Sequence, residues 1–407
     1  MNQLISASLI YDGSGKVHLP DQLLPKADSK VEAFRMIAAK KQLLGNDREV
    51  LCEIAGRSCY DSLGAETSRD TPGYHKHILE VKHLSTIEHA ALNFNIHTRR
   101  IEHVGAFALM FLNRPNVWVR QVSPYDLRVC LNLRHLLEWG TYKPAVWPLD
   151  PPASAEQLGR ALAGLAHTRA PMIMGDQSLD ILTTIRDSGH PFDLPNIIIP
   201  GSDHSILQLC EPESDEEKWV SLFMTGSRGF SHEQVRHGDW TAISQRSTRF
   251  VDENESPWVQ HPLITQYLET SDKPEVAPNG EKTELSLRDH LKHVETTAKH
   301  AYKTAVGKLL PWLVARGVDK TNARKQARGA ARGYLGNGLY TEVVFSASVA
   351  QWMRMIRQRL NQFADAEIRE VYASALPVLK ACRYGNSFAG MDMAPSPDGI
   401  GQVLKEV

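Results

Sequence analysis

Residues 227–252 read SRGFSHEQVRHGDWTAISQRSTRFVD, and the rest of the chain is organised around them. Within this stretch Arg228, His232, Arg236, His237, Arg246 and Arg249 stand among Gly, Ser and Thr. A solvated basic helix face spaces its cations three and four apart with acids between them. Here the neighbours are small and hydroxylated instead. Guanidinium forks grip a phosphate through paired hydrogen bonds, hydroxyls and turn amides add donors, and small neighbours let an anion approach the backbone. The stretch therefore suits an anion, with an exposed basic turn as the plain alternative. His232-Glu233 followed by His237 is not a zinc helix, because the second imidazole comes one position too late to share the first one's face.

Working outward, WVSLFMTG at 219–226 reads as a strand feeding the stretch. The chain has 407 residues, 42% hydrophobic and 23% charged, with a net charge of -1. Such a length can bury a sizeable core in one domain or a few. The balanced charge argues against broad nucleic-acid binding, which needs a basic face. No apolar run approaches the roughly 20 residues of a membrane span, and MNQLISASLIYDGSGK lacks the basic start and long apolar core of a leader. The expectation is a cytoplasmic protein without nucleic-acid or membrane partners. Cys52, Cys59, Cys130, Cys210 and Cys382 are odd in number and scattered, which suggests neither a disulfide framework nor a zinc ribbon.

Ser29 and Glu32 have capping-box spacing ahead of Val31, Phe34 and Ile37, with Gly45 placed to stop that helix. A second helix is expected from Glu49 to about Tyr60, with Leu51, Ile54, Ala55 and Ser58 on one face. Leu92, Phe94 and Ile96 alternate as a strand should. His75, His77, His83, Glu88 and His89 crowd together, but their spacing is not that of a helical zinc site, so no metal is expected. Between 97 and 218 the pattern predicts strand, turn and helix in NVWVRQVSPYDLRVCLNLRHLLEW, then a helix capped by Ser154 and Gln157, then short strands in NIIIPG and SILQLC. This part carries no chemistry motif, and its roles would be a lid, oligomer contacts or none. Helices are expected from Leu285 onward. After Thr341 a long helix is predicted, with Phe345, Val349, Trp352, Ile356, Leu360 and Phe363 in one apolar stripe and Arg359 at its edge, aimed at something buried.

Four ordered segments resemble the flavin-dependent thymidylate synthase family. Ser227-Arg228, Arg236-His237 and Ser247-Thr248-Arg249-Phe250 match its signature. His83-Leu84-Ser85-Thr86-Ile87-Glu88-His89 resembles its EH box, and AGRSCY its first-helix end at Cys59. Ala331-Arg332, Leu335 and Leu339-Tyr340-Thr341 form a third match, and RLNQFADAEIR at 359–369 a fourth. The departures are Gly238 for an arginine, Glu233 for a glutamine, a spacer to Ser247 one residue longer, Gly336 for a proline and Asp365 for a glutamine. Ser348, Ala350 and Phe363 also stand where flavin-contacting polar groups are expected.

The resemblance implies an α/β (α+β) fold with a central mixed or antiparallel sheet, long helices and an inserted subdomain. Its divisions are an extension at 1–48, catalytic parts at 49–97 and 219–400, and an insertion at 98–218. The strands at Leu92–Ile96 and Val220–Met224 are then expected in one sheet. The implied chemistry is transfer of a one-carbon unit from methylenetetrahydrofolate to C5 of dUMP, with FAD as cofactor and NADPH as reductant. The alternatives are methylation of UMP or another one-carbon transfer in modified-nucleoside or nucleoside-antibiotic biosynthesis, and a silent nucleotide-binding protein. Uracil C5 is a weak nucleophile, so the donor and hydride must come from cofactors, while side chains stabilise the charge that develops on the ring.

Carried over residue by residue, Glu233, Gln245, Arg246, Ser247, Thr248, Arg249, Arg332 and Arg359 would bind nucleotide. Cys59, His83, Ser85, Glu88, Arg236, His237 and Arg354 would face the flavin. Arg236, His237 and Arg359 would stand at the reacting ring. The family forms homotetramers, so the Arg332 and Arg359 segments are expected to meet 227–252 across a subunit interface.

Overall fold

The computed structural model describes residues 4–18, 47–62, 70–112, 117–139, 153–175, 194–238, 241–274 and 284–405. The helix expected behind Ser29 and Glu32 lies outside them, as does Gly45. In chain order the strands are β1 (Ser6–Tyr11), β2 (Ala91–His97), β3 (Trp118–Gln121), β4 (Asp126–Asn132), β5 (Asn196–Ile198), β6 (Ile206–Leu209), β7 (Trp219–Ser227), β8 (Thr241–Gln245), β9 (Tyr340–Ser348), β10 (Met393–Pro395) and β11 (Gln402–Leu404). They form an α+β fold with two main sheets, ordered β1-β7-β9-β8 and β3-β4-β2-β6-β5, and every strand pair is antiparallel.

The expectation of one sheet shared by Leu92–Ile96 and Val220–Met224 is overturned. Both edges of β2 are taken, Phe94 pairing with Val129 of β4 on one side and Leu209 of β6 on the other. Both edges of β7 are taken as well, Leu222 pairing with Leu9 of β1 and Phe345 of β9. A strand has two hydrogen-bonding edges, so neither has room for the other. The sheets are instead joined by side chains: Trp219 Nε1 donates to the His89 carbonyl at 2.7 Å, and Asn93 Nδ2 to that of Glu217 at 3.2 Å.

The alternation in β2 is realised, with Leu92, Phe94 and Ile96 all buried. The short strands in NIIIPG and SILQLC are also realised, whereas the strand–turn–helix reading before them needs correcting: the turn after β3 leads into a second strand, β4, which pairs back on β3, and the helix is only Leu133–Leu137. Helix Ala155–His167 begins with the capping box between Ser154 and Gln157, and helix Asp47–Cys59 covers the segment expected from Glu49. Every residue of β7 and of β9 is buried, because one face packs on helices Val349–Arg359 and Ala366–Ala381 and the other on helix Asp47–Cys59 and its neighbours.

The predicted apolar stripe needs correcting at both ends. Phe345 belongs to β9, and the helix begins at Val349 because the Ser348 side chain accepts from Gln351 N as an N-cap. Phe363 lies past the helix end and is 87% exposed. Trp352, Ile356 and Leu360 between them are buried as expected. Helix Leu287–Ala315 is 29 residues long, buries only Tyr302, and packs on helix Lys320–Ala331. No helix among the described residues is long and apolar enough to cross a membrane.

Candidate anion and nucleotide site

At the end of β7 the Ser227 hydroxyl does two jobs. It accepts from Phe230 N at 3.1 Å, capping helix Arg228–Gln234, and donates to Glu367 Oε2 at 2.6 Å. Glu367 Oε1 accepts from Ser227 N at 2.6 Å, so a buried carboxylate fixes the start of the motif stretch. Burial pushes the Glu367 carboxyl up, against the lowering by its bonds to Ser227. Arg228 N donates to the Leu339 carbonyl at 2.8 Å and Gly229 N to that of Asn337 at 2.9 Å, which ties the stretch to LGNGLYT.

Helix Arg228–Gln234 then delivers Glu233 and His237 to Arg359. Arg359 Nε donates to His237 Nε2 at 2.8 Å, Nη1 to Glu233 Oε2 at 2.7 Å, and Nη2 to the Glu233 carbonyl at 3.2 Å. Burial, and after it the Arg359 cation, lowers His237 to about 4, so the ring is neutral near pH 7. Gln245 donates to Ser231 Oγ at 2.6 Å and Thr341 Oγ1 at 3.2 Å.

Three arginines gather on the other side of the stretch. Arg249 is exposed and makes no hydrogen bond or ion pair with a described residue. A Cβ on Gly329 would stand 3.5 Å from Arg249 Cγ, so helix Lys320–Ala331 runs alongside it, three residues before exposed Arg332. Arg228, half-buried, is held below its usual range by burial and by Arg332, with Glu253 opposing. Arg328 anchors the helix by donating to the Phe250 carbonyl at 2.5 Å and Asp252 at 3.1 Å. Neighbouring cations with so few acids among them favour an anion.

Not every motif residue faces that space. Arg246 is buried, donating to Ser256 Oγ at 3.1 Å with Glu253 at 3.5 Å, and Thr248 is buried beside it. Ser247 N donates to the Cys59 carbonyl at 2.9 Å, joining the stretch to the first helix. Burial, partly offset by a bond to Ser244, pushes the Cys59 thiol up to about 11, so it is no nucleophile near neutrality.

The EH box divides in the same way. His83 is half-buried; its Nδ1 pairs with Tyr60 Oη and the two rings stack at 5.9 Å, while Phe250 meets Tyr60 edge-on at 4.8 Å. Burial lowers His83, and Lys325, His77 and Arg249 lower it further, which places it beside the cations. Ser85, Arg236 and Arg354 are exposed. Glu88 pairs with Arg134 from the 98–218 segment, and Arg134 with Glu138 at 3.0 Å. Burial raises the Glu88 carboxyl while Arg134 opposes it. His89 is wholly buried between Ser346 Oγ at 2.7 Å and Ser244 Oγ at 2.9 Å, and burial lowers it to about 3.

Within one chain the Arg359 and Arg332 segments already reach 227–252, because β9 pairs with both β7 and β8 and carries the flanking segments with it. Sequence reasoning missed Glu367, Glu253, Tyr60 and Arg134 as partners. Glu367 and Tyr60 sit inside quoted motifs, whereas no local signal marks Arg134. Among the described residues no group of three or more His, Cys, Asp or Glu is placed to hold a metal ion.

Fold and site together define an α+β protein whose motif segments bring a cluster of cations to the 227–252 stretch. The thymidylate synthase complementing protein family model matches residues 219–382, the span that holds β7, the 227–252 stretch and the Arg332 and Arg359 segments. The chain is 32% identical over 188 residues to a flavin-dependent thymidylate synthase of Mycobacterium bovis, covering 45% of this chain and 66% of the relative. It is 35% identical over 165 residues to one of Mycolicibacterium vanbaalenii, covering 40% and 57%. In both, the match spans less than two thirds of the relative's own length.

Proposed function

We propose that the protein transfers a one-carbon unit from methylenetetrahydrofolate to C5 of dUMP with a flavin as cofactor. The observation that carries this reading is the bonding of Arg359 to His237 and Glu233, from motif segments over a hundred positions apart, with Arg228, Arg332 and Arg249 gathered on the other side of the same stretch. Arg228, Arg249 and Arg332 bind the phosphate. Arg359 lies at the uracil edge, where a fixed cation favours the anionic ring. Neutral His237 keeps an acceptor toward Arg359 and leaves its other ring nitrogen to donate.

The donor set fits an FAD pyrophosphate in its chemistry. Arg236 and Arg354 are exposed and their side chains make no hydrogen bond or ion pair with a described residue, and Ser85 and His83 add a hydroxyl and a ring. The flavin, recharged by NADPH, supplies the hydride. Glu88 reaches it only with Arg134 attached. We further propose a homotetramer, supported by the 29-residue helix Leu287–Ala315 that buries a single side chain.

The test is tritium release from C5-labelled dUMP and UMP with FAD, methylenetetrahydrofolate and NADPH. Release from dUMP well above UMP is expected. Flavin-loaded protein that releases tritium from neither overturns the reading.

A further inference from the structure

A well-formed cleft lies elsewhere. It is a cavity of about 440 Å³, within the roughly 300–1,000 Å³ of ligand pockets, and it is lined by residues of both sheets. Trp219, at the start of β7, lines it, whereas Ser227 of the candidate nucleotide site is at the other end of that nine-residue strand. At about 3.3 Å per residue the two lie roughly 26 Å apart.

Three guanidinium groups from distant parts of the chain line this cleft: Arg48, Arg169 and Arg383. The carboxylates beside them leave them under-neutralised. Glu217 is spent on Arg128, at 2.9 and 2.7 Å, and on Glu213 N at 2.7 Å. Glu211 stands 3.6 Å from Arg383 with its side chain 70% exposed. Among the described residues Arg48 has only long contacts, 3.4 Å to the Ala91 carbonyl and 3.5 Å to Asp47. Arg169 makes no side-chain hydrogen bond or ion pair with any described residue. Donors therefore outnumber acceptors, and converging arginine forks match a phosphate.

One further feature describes the rest of the ligand. The turn at Gly13 and Gly15, with φ of 75° and 77°, presents bare backbone to the cleft. Arg383 holds that turn through the Gly13 carbonyl, and a Cβ at Gly13 would come 2.6 Å from the Tyr384 hydroxyl. We propose that this cleft is a second ligand site, separate from the nucleotide surface, that takes a small hydroxyl-bearing organic phosphate. The phosphate sits among Arg48, Arg169 and Arg383, and a hydroxyl meets the bare backbone of the Gly13–Gly15 turn. The inference does not depend on the proposed activity.

Calorimetric titration of the full chain with ribose 5-phosphate, inorganic pyrophosphate and citrate tests it, with Arg169→Gln, Arg383→Gln and Arg249→Ala alongside. Ribose 5-phosphate is expected to bind more tightly than pyrophosphate or citrate. Arg169→Gln should weaken it at least about tenfold, the size of one lost charge-assisted contact, at an unchanged melting temperature. Arg249→Ala should leave it intact. Three results overturn the proposal: no binding of ribose 5-phosphate at millimolar concentration, tighter binding of citrate, or loss in Arg249→Ala with retention in both cleft variants.

Discussion

Arg359 and His237 are 122 positions apart in the chain and joined by a 2.8 Å bond from Nε to Nε2. The bond is compatible only with a ring whose Nε2 carries no proton, so the cation and the neutral imidazole support each other. Arg359→Gln removes the second of the two causes that lower His237 and leaves burial, the larger one. The His237 pKa is expected to rise from about 4 but to stay below the ordinary 6.5, read from the ring-proton shifts across pH. An unmoved titration separates the two residues in solution.

Arg246 and Arg249 stand three positions apart and should fail in different ways. Arg249 is exposed without a described partner, so Arg249→Ala is expected to leave the melting temperature alone and raise the dUMP KM. Loss of a charge-assisted phosphate contact costs about 1.5–3 kcal/mol, or about 10- to 150-fold. Arg246→Ala leaves Glu253 buried without its cation, and breaking a buried pair costs about 3–5 kcal/mol of stability. Thermal unfolding and steady-state kinetics on both variants check the contrast.

Gly238 is exposed, and among the described residues a Cβ there meets nothing nearer than the Val235 carbonyl at 3.8 Å. The backbone therefore accepts a side chain. Gly238→Arg is expected to tighten FAD binding by about five- to 150-fold, the worth of one charge-assisted contact of roughly 1–3 kcal/mol. Wild-type protein should bind FAD loosely and more tightly with nucleotide present. Fluorescence titration of FAD decides it; equal affinities in the two proteins remove position 238 from the flavin site.

His89 makes the protein sensitive to acid. Its pKa falls from 6.5 unfolded to about 3 folded, so its contribution is fully present above pH 6.5 and is lost as pH falls toward 3. His83 and His237 shift in the same direction. His89→Gln is expected to cost stability at pH 7 through the bonds to Ser244 and Ser346, yet to flatten the acid limb by up to about 1.4 kcal/mol per pH unit below 6. Urea unfolding of both proteins at several pH values measures the difference.

Local chemistry was enough to mark the elements and the motif residues. The alternation at Leu92, Phe94 and Ile96, the box at Ser154 and Gln157 and the cations of 227–252 are nearest-neighbour signals, and each appears where its period places it. Which strand pairs with which was not legible, because a strand's own pattern shows its buried face and not its neighbour. β2 closed its edges with β4 and β6, and β7 with β1 and β9. Tertiary structure alone also sorted arginines of one motif by role. Arg246 and Arg249 carry the same charge, but a buried cation needs a carboxylate, which Glu253 supplies to Arg246, while Arg249 stays in solvent able to meet an anion.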